Sequence, residues 1–323
     1  MDAPSARITQ REDRRIRGLR PRKPPVDPYV AHGSLVEQER RPDGTLERAL
    51  TVFLTGAECP FTCSFCDLWR YTIDGRTPAG ALPAQLRAEL GRLDVSQPRP
   101  DRLKLYNASN FFDKRAVPVD DLPRLAELAA PFANVTVESH ASTIGTAARH
   151  FARARGRRLE VAMGLETIHP VAMARLNKRL DLRSFGRSAR WLADNDMDLR
   201  VFVLLGAPYV APDACVEWTV RTVEHAAQHG AAVVSIIPVR GGNGEMERLH
   251  ALGHFTPPTL GMLEEALDRC LGAHGTVVTA DLWDVDRLHM CAHCHAARVQ
   301  RLARLNVSGR AEPRIACAQC TGV

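Results

Sequence analysis

The sequence predicts an α/β protein, a parallel sheet covered by helices, followed by a small cysteine-rich metal-binding module. Two observations carry the sheet. Short apolar runs recur along the middle of the chain, and amphipathic helical stretches separate them. A third observation, two C-x2-C pairs close to the C-terminus, carries the module.

The strand candidates are, in order, residues 50–55, 103–106, 135–138, 159–163, 199–205 and 232–238, with 276–282 as a seventh. The helix candidates that follow them span 81–93, 120–130, 144–155, 170–192 with a break near Asp181, 213–229 and 258–274. Before them, residues 20–28 are rich in proline and basic residues and read as an extended arm, and 34–39 read as a short lead-in strand. Six βα repeats close into a partial barrel or lie open as a doubly wound sheet. Alternation by itself does not choose between the two.

The chain has 323 residues, 45% of them hydrophobic and 25% charged, an ordinary globular composition. Its formal charge of +6 suits an anionic partner, although an arginine-rich chain is also simply basic. The first 49 residues carry many arginines and no apolar h-region, which excludes a secretory signal. No apolar run is long enough to cross a bilayer. The expectation is a soluble, cytoplasmic protein. Seven of the nine cysteines are clustered, which in that setting points to metal or redox sites rather than disulfides. Cys215 and Cys270 stand alone inside helical stretches and read as small apolar packing.

The first cluster is Cys59-Pro-Phe-Thr-Cys63-Ser-Phe-Cys66, at the carboxyl end of the first strand of the repeat, where barrels place their chemistry. A [4Fe–4S] cube usually takes four thiolates, so three leave one iron open to a ligand. Zinc is the alternative and wants a fourth ligand, for which Asp67 is the adjacent candidate.

The spacing C-x3-C-x2-C, with aromatic Phe65 before the last cysteine, resembles the signature of the radical S-adenosylmethionine (SAM) superfamily. The resemblance spans roughly residues 50–282. It implies a partial (βα)6 TIM-like barrel, a [4Fe–4S] cluster on Cys59, Cys63 and Cys66, and SAM chelating the open iron. One-electron reduction of SAM then yields methionine and a 5′-deoxyadenosyl radical. A reductant such as flavodoxin or ferredoxin is the implied electron source.

The same resemblance marks further candidates. Asn107, Ser109 and Asn110 follow the second strand, where the superfamily carries a Gly-Gly-Glu-like loop against the SAM amino group. This chain has no Gly-Gly there, and a plain Asn/Ser turn is the alternative. Glu138 ends the third strand and Glu166 follows the fourth. Both are candidate catalytic carboxylates, Glu166 also a SAM ribose contact, and either is equally a salt-bridge partner within the barrel. Leu204, near the end of the fifth strand, stands where the superfamily packs adenine. Gly164-Leu-Glu-Thr167, His169-Pro170 and Leu176-Asn177-Lys178 resemble the Elp3-like and MiaB-like branch of tRNA-modifying radical SAM proteins. Residues 238–258, with Arg240-Gly-Gly-Asn-Gly244, are similar to part of the archaeosine-biosynthesis radical SAM protein, which acts on a deazaguanine in tRNA.

Cys291 and Cys294 are separated from Cys317 and Cys320 by 22 residues, a spacing for one four-thiolate site. Zn2+ is the first expectation and a second iron–sulfur cluster the alternative. Cys294-His295 also completes a haem-attachment string, which would leave the second pair unexplained. Arg298, Arg301, Arg304 and Arg310 lie between the pairs, placed either to hold RNA phosphates or to solvate a helix face.

These readings divide the chain into a basic arm with a lead-in strand (1–49), the barrel (50–284) and the four-cysteine metal-binding module (285–323). They predict a radical SAM enzyme that modifies a nucleoside or tRNA base. The alternatives are the same chemistry on a peptide or small metabolite, with an auxiliary cluster, and a non-catalytic, metal-stabilised RNA-binding protein.

Overall fold

Strands of a parallel sheet need long return connections, and the helices of this chain supply them. The computed structural model describes residues 6–288 and 291–320. Its strands are β1 (Gly33–Arg40), β2 (Leu46–Phe53), β3 (Arg102–Tyr106), β4 (Asn134–Glu138), β5 (Leu159–Glu166), β6 (Asp198–Leu205), β7 (Ala231–Pro238) and β8 (Val277–Ala280). Its α-helices are α1 (Ala6–Leu19), α2 (Ala81–Gly91), α3 (Asp121–Ala129), α4 (Thr146–Arg155), α5 (Pro170–Arg175), α6 (Leu182–Asp194), α7 (Cys215–Gln228), α8 (Glu245–Ala251), α9 (Leu260–Cys270) and α10 (His295–Ser308).

The eight strands form one sheet in sequence order. β1 is antiparallel to β2, and every later pair is parallel. A doubly wound sheet reverses its strand order at a switch point. This one does not, so it curls into a half-barrel, the partial-barrel fold expected above. The lead-in strand and the seventh repeat strand are both present, as β1 and β8. The break near Asp181 is real and has a local cause. Asp181 accepts from Ser184 N–H at 2.6 Å and opens α6 as its N-cap, while Pro170 starts α5.

Alternate strand residues face opposite ways. Leu103, Leu105, Val135, Val137, Val161, Val201 and Val203 join the core under the helices. The residues between them face inward, and they are charged at the amino end of the barrel. Arg200 bonds Glu39 at 2.9 Å and Glu160 at 2.7 Å, Lys104 bonds Glu37 at 2.6 Å, and Arg102 bonds Glu47 at 2.5 Å. Burial alone would raise the Glu39 carboxyl; the charges of Arg200 and Lys104 overcome it and hold the group well below its usual range. Such a network is roughly neutral against an apolar floor, yet losing one partner strands the other charge. Here it draws β1 toward β3, β5 and β6.

Three helices were not foreseen as elements. α10 packs against both β1 and β8, across the seam where the sheet does not close. Its Leu302 and Leu305 are fully buried in the main core, worth about 1.5–3 kcal/mol each. Asn306 accepts from Ala280 N–H and donates to Ala280 C=O, both at 2.8 Å. α1 replaces part of the expected arm and turns buried Asp13 and Ile16 toward the loop that carries the first cysteines. α8 follows the Gly-rich loop and forms a smaller core with Met246 and Leu249. Among the described residues no helix is long and apolar enough to cross a membrane.

Candidate active site and metal centres

The loop after β2 carries Cys59, Cys63 and Cys66 and is tied down on three sides. Asn177 Nδ2 donates to Thr62 O at 3.0 Å and to Thr62 Oγ1 at 2.7 Å. Asn243 Nδ2 donates to Ser64 O at 2.9 Å and Cys66 O at 3.2 Å. From α1, Asp13 accepts from Thr62 Oγ1 at 2.6 Å and from Asn177 at 3.0 Å, and pairs with Arg179. Ser64 N–H adds a bond to Leu176 O at 2.9 Å. The Gly-rich loop and the Leu176-Asn177-Lys178 stretch therefore act as braces for the cysteine loop.

On the other side of the thiols, Asn110 Nδ2 donates to Cys59 Sγ at 3.3 Å, and Asn110 Oδ1 accepts from His140 N–H at 2.7 Å. The turn that holds Asn107, Ser109 and Asn110 is built on Glu138, whose Oε1 accepts from Asn107 N–H at 2.7 Å. Burial pushes the Glu138 carboxyl up to about 7, against the pull of the Asn107, Ala108 and Ser109 amides. With its native pKa above the unfolded value of 4.5, Glu138 favours folding fully below about 4.5, and that contribution is lost as pH rises through about 7. Glu138→Gln keeps an acceptor but no charge. Denaturant titrations of cluster-free protein from pH 4 to 8 should show a fall for the wild type that is flatter in the variant. Parallel curves would discount the burial of this carboxyl.

Glu166 ends β5 at φ +69°, a conformation uncommon for a residue other than glycine, where the register with β6 shifts. Its Oε1 bonds Lys178 Nζ at 2.6 Å. Asn177 and Arg179 flank Lys178, both at positive φ (53° and 59°). Gly164 lies beneath this pair: a β-carbon there would be 2.1 Å from Glu166 Oε1 and 2.7 Å from Lys178 Nζ, so a larger residue would displace the two side-chain ends. Burial opposes the Lys178 charge, but Glu166 and the neighbouring Cys63 more than restore it, so the ammonium is held above its ordinary value. Burial drives His140 down to about 4, so it stays a neutral hydrogen-bonding group between Ser142 and Lys178 O.

These residues suit a [4Fe–4S] cluster carrying SAM on two counts. The first is the donor set. Three soft sulfur donors stand on one short loop; burial raises all three thiols, Cys63 to about 12, so they are protonated in the free chain and each would give up its proton on taking iron. The second is the set of unpaired polar atoms. Asn107 Oδ1, Asn107 Nδ2 and Ser109 Oγ are buried with no partner among the described residues, which fits a polar ligand or water at that place. Phe65 and Leu204 meet in the smaller apolar cluster with Val239 and Met246. Asn107 is joined directly to Glu138, Asn110 joins Cys59 to His140, and Glu166 stands with Lys178.

At the other end of the chain, Cys291, Cys294, Cys317 and Cys320 bring their sulfurs within 4.8 Å of one another. Cys294 and Cys320 are 3.5 Å apart, and each C-x2-C pair makes the same turn, Cys294 N–H to Cys291 O and Cys320 N–H to Cys317 O. Hydrogen bonding with Cys320 and the His293 and Cys294 amides pull the Cys291 thiol down to about 7. His295 instead bonds Asp286 at 2.7 Å. Arg298, Arg301 and Arg304 are taken up by Glu264, Asp268 and Glu312, so they hold the module together rather than wait for phosphates.

Sequence reading did not single out Lys178, His140, Asn243 or Asp13 as site residues. Lys178 and Asn243 had a signal, since each lies in a motif quoted for its resemblance. Asp13 had none, because nothing local places the N-terminal helix over a loop 49 residues away.

No protein-family model matches the sequence, and no curated protein matches it. Solved structures do. The crystal structure of a radical SAM methyltransferase from Sphaerobacter thermophilus aligns with a TM-score of 0.51 over 81% of this chain and 76% of its own, at 17% identity. The archaeal Methanocaldococcus infernus Elp3, with its N-terminus deleted, aligns with a TM-score of 0.50 over 69% of this chain, at 12% identity. This chain spans only 59% of that Elp3 chain. At such identities the likeness is one of fold: this chain shares its half-barrel with both structures.

Proposed function

We propose that this chain is a radical SAM enzyme that modifies a nucleoside or tRNA base. One observation carries the enzyme reading. Three cysteines with the superfamily spacing stand at the carboxyl end of a parallel half-barrel, beside buried Asn107 and Ser109 atoms that lack partners. When bound, SAM and its cluster supply a radical able to take hydrogen from an unactivated C–H bond. The protein's own part is to bind, orient and exclude water.

In this reading Cys59, Cys63 and Cys66 hold the cluster, and Asn107 and Ser109 receive the amino-acid end of SAM. Phe65 and Leu204 offer the apolar wall for its adenine. Glu166, fixed by Lys178, is a hydrogen-bond acceptor for ribose or substrate. Glu138 holds the Asn107 turn in shape. A low-potential donor such as a flavodoxin or ferredoxin and a cytoplasmic setting complete the reading. The barrel would span residues 50–284 and the C-terminal module 285–323, sharing the core through α10. The tRNA assignment is supported by the quoted motifs and the basic charge.

At the C-terminal cysteines the reading is zinc. Four thiolates around one ion at about 2.3 Å stand about 3.8 Å apart, close to the separations here, whereas a four-iron cube holds its thiolates wider.

Anaerobically reconstituted, reduced protein given SAM should release 5′-deoxyadenosine. tRNA from a deletion strain should lack, or hold the precursor of, one modified nucleoside by mass spectrometry. SAM left intact would sink the enzyme reading, and an unchanged nucleoside profile the tRNA assignment.

A further inference from the structure

We infer that the face formed by α1 and the loops beside Cys59 is a docking surface for a small acidic one-electron carrier. The inference rests on the radical SAM reading and adds to it the side from which the electron arrives.

A surface pocket of about 270 Å³ reaches Cys59, with Arg17 and Arg115 in its walls; Cys63 and Cys66 do not line it. Arg11, Arg14 and Arg17 are all exposed on α1, and Arg14 and Arg17 lie three residues apart, on one helix face. Arg76, Lys114 and Arg115 are exposed on the loops beside the pocket. None of these six makes an ion pair among the described residues. The acids nearby are engaged. Glu58 bonds Arg20 at 2.7 Å, Asp74 bonds Lys23 at 3.1 Å, and Asp113 accepts from Arg115 N–H at 2.8 Å. Unpaired positive charge, with the Asp113 carboxylate among it, therefore lies around the pocket that reaches Cys59.

The opposite side of the site explains why an electron carrier fits better than RNA. The unpartnered Asn107 and Ser109 atoms are buried behind the Glu138-braced turn, so SAM and the reacting atom belong to the barrel side. An electron needs only a cluster sulfur near the surface. One electron from the carrier's reduced cofactor would pass to a cluster held by Cys59, Cys63 and Cys66, with no bond made or broken. Complementary charge raises such encounter rates by about tenfold or more, and salt erases the gain.

The probe is a reduced acidic flavodoxin, and the variant is Arg14→Glu/Arg17→Glu/Arg115→Glu. Cluster-free wild type should bind flavodoxin at low salt at least about tenfold more tightly than the variant. Reduction of the reconstituted cluster by flavodoxin, followed as bleaching of its visible absorption, should slow by a similar factor and lose its salt dependence. Reduction by dithionite, which needs no docking, should be unchanged. Arg14→Gln/Arg115→Gln repeats the test with charge merely removed, should the reversals perturb α1. Equal flavodoxin binding and equal flavodoxin-driven rates in wild type and variant overturn the proposal. So does a variant that loses only the binding of unfractionated tRNA, which would make the face an RNA surface. If dithionite-reduced wild type leaves SAM intact, the functional reading fails, while flavodoxin binding to the cluster-free chain still decides the docking face.

Discussion

Cys63→Ala should yield a folded protein that holds no iron–sulfur cluster and releases no 5′-deoxyadenosine. The fold should survive because the cysteine loop does not depend on Cys63 for its position. Asn177 fixes Thr62, Asn243 fixes Ser64 and Cys66, and Arg20 holds Glu58. The chemistry should not survive. With three thiolates one iron of a cube is open, and with two the cube is undersupplied. Lys178 would keep Glu166, the main charge that holds its ammonium above the ordinary value. Groups that act as a unit fail together, so SAM cleavage should fall roughly a thousandfold or more. Iron and sulfide analysis, with chromatography of the nucleoside product, checks both halves. A Cys63→Ala protein that keeps its iron and its cleavage rate would remove Cys63 from the site.

The second large effect is expected from the C-terminal module. Stripping its metal, or replacing Cys317 with Ser, should destabilise the whole barrel and not the tail alone. The sulfurs hold Cys291 and Cys294, which open α10, against the strand of chain that ends in Cys317 and Cys320. α10 carries Leu302 and Leu305 into the main core, and buried Arg301 joins Asp268 of α9 to Glu312 O. Structural zinc contributes folding energy directly. A loss of about 3–5 kcal/mol is expected, comparable with breaking a buried paired network, and it should appear as a melting point lower by roughly 10 °C. Calorimetry with and without a strong chelator measures this, and an unshifted transition would make the module an independent appendage. Metal analysis of a protein lacking Cys59, Cys63 and Cys66 should return one zinc per chain; iron with sulfide would reverse the assignment.

Much of the barrel could be read from the sequence because its strands are buried on the helix-facing side. Leu103, Val135, Val161 and Val201 leave apolar runs of the right length, and capping at Asp181 leaves a visible break. Both cysteine sets were visible because their spacing is local. What stayed hidden depends on contacts between distant segments. α1 is very polar overall, and among its described side chains only Asp13 and Ile16 are buried. The Glu166–Lys178 pair needs three positive-φ residues and Gly164, conformations no local pattern announces. The choice between barrel and open sheet rests on strand order, which periodicity does not contain.

Asn306 has a consequence for how this protein behaves among its copies. A four-residue strand at the end of a sheet presents unpaired amides that invite a foreign strand. The Asn306 side chain takes both the N–H and the C=O of Ala280, so at that residue a carboxamide stands in for a ninth strand. The C-terminal helix thus covers the sheet edge at Ala280, and a metal held by Cys291, Cys294, Cys317 and Cys320 would be part of that cover.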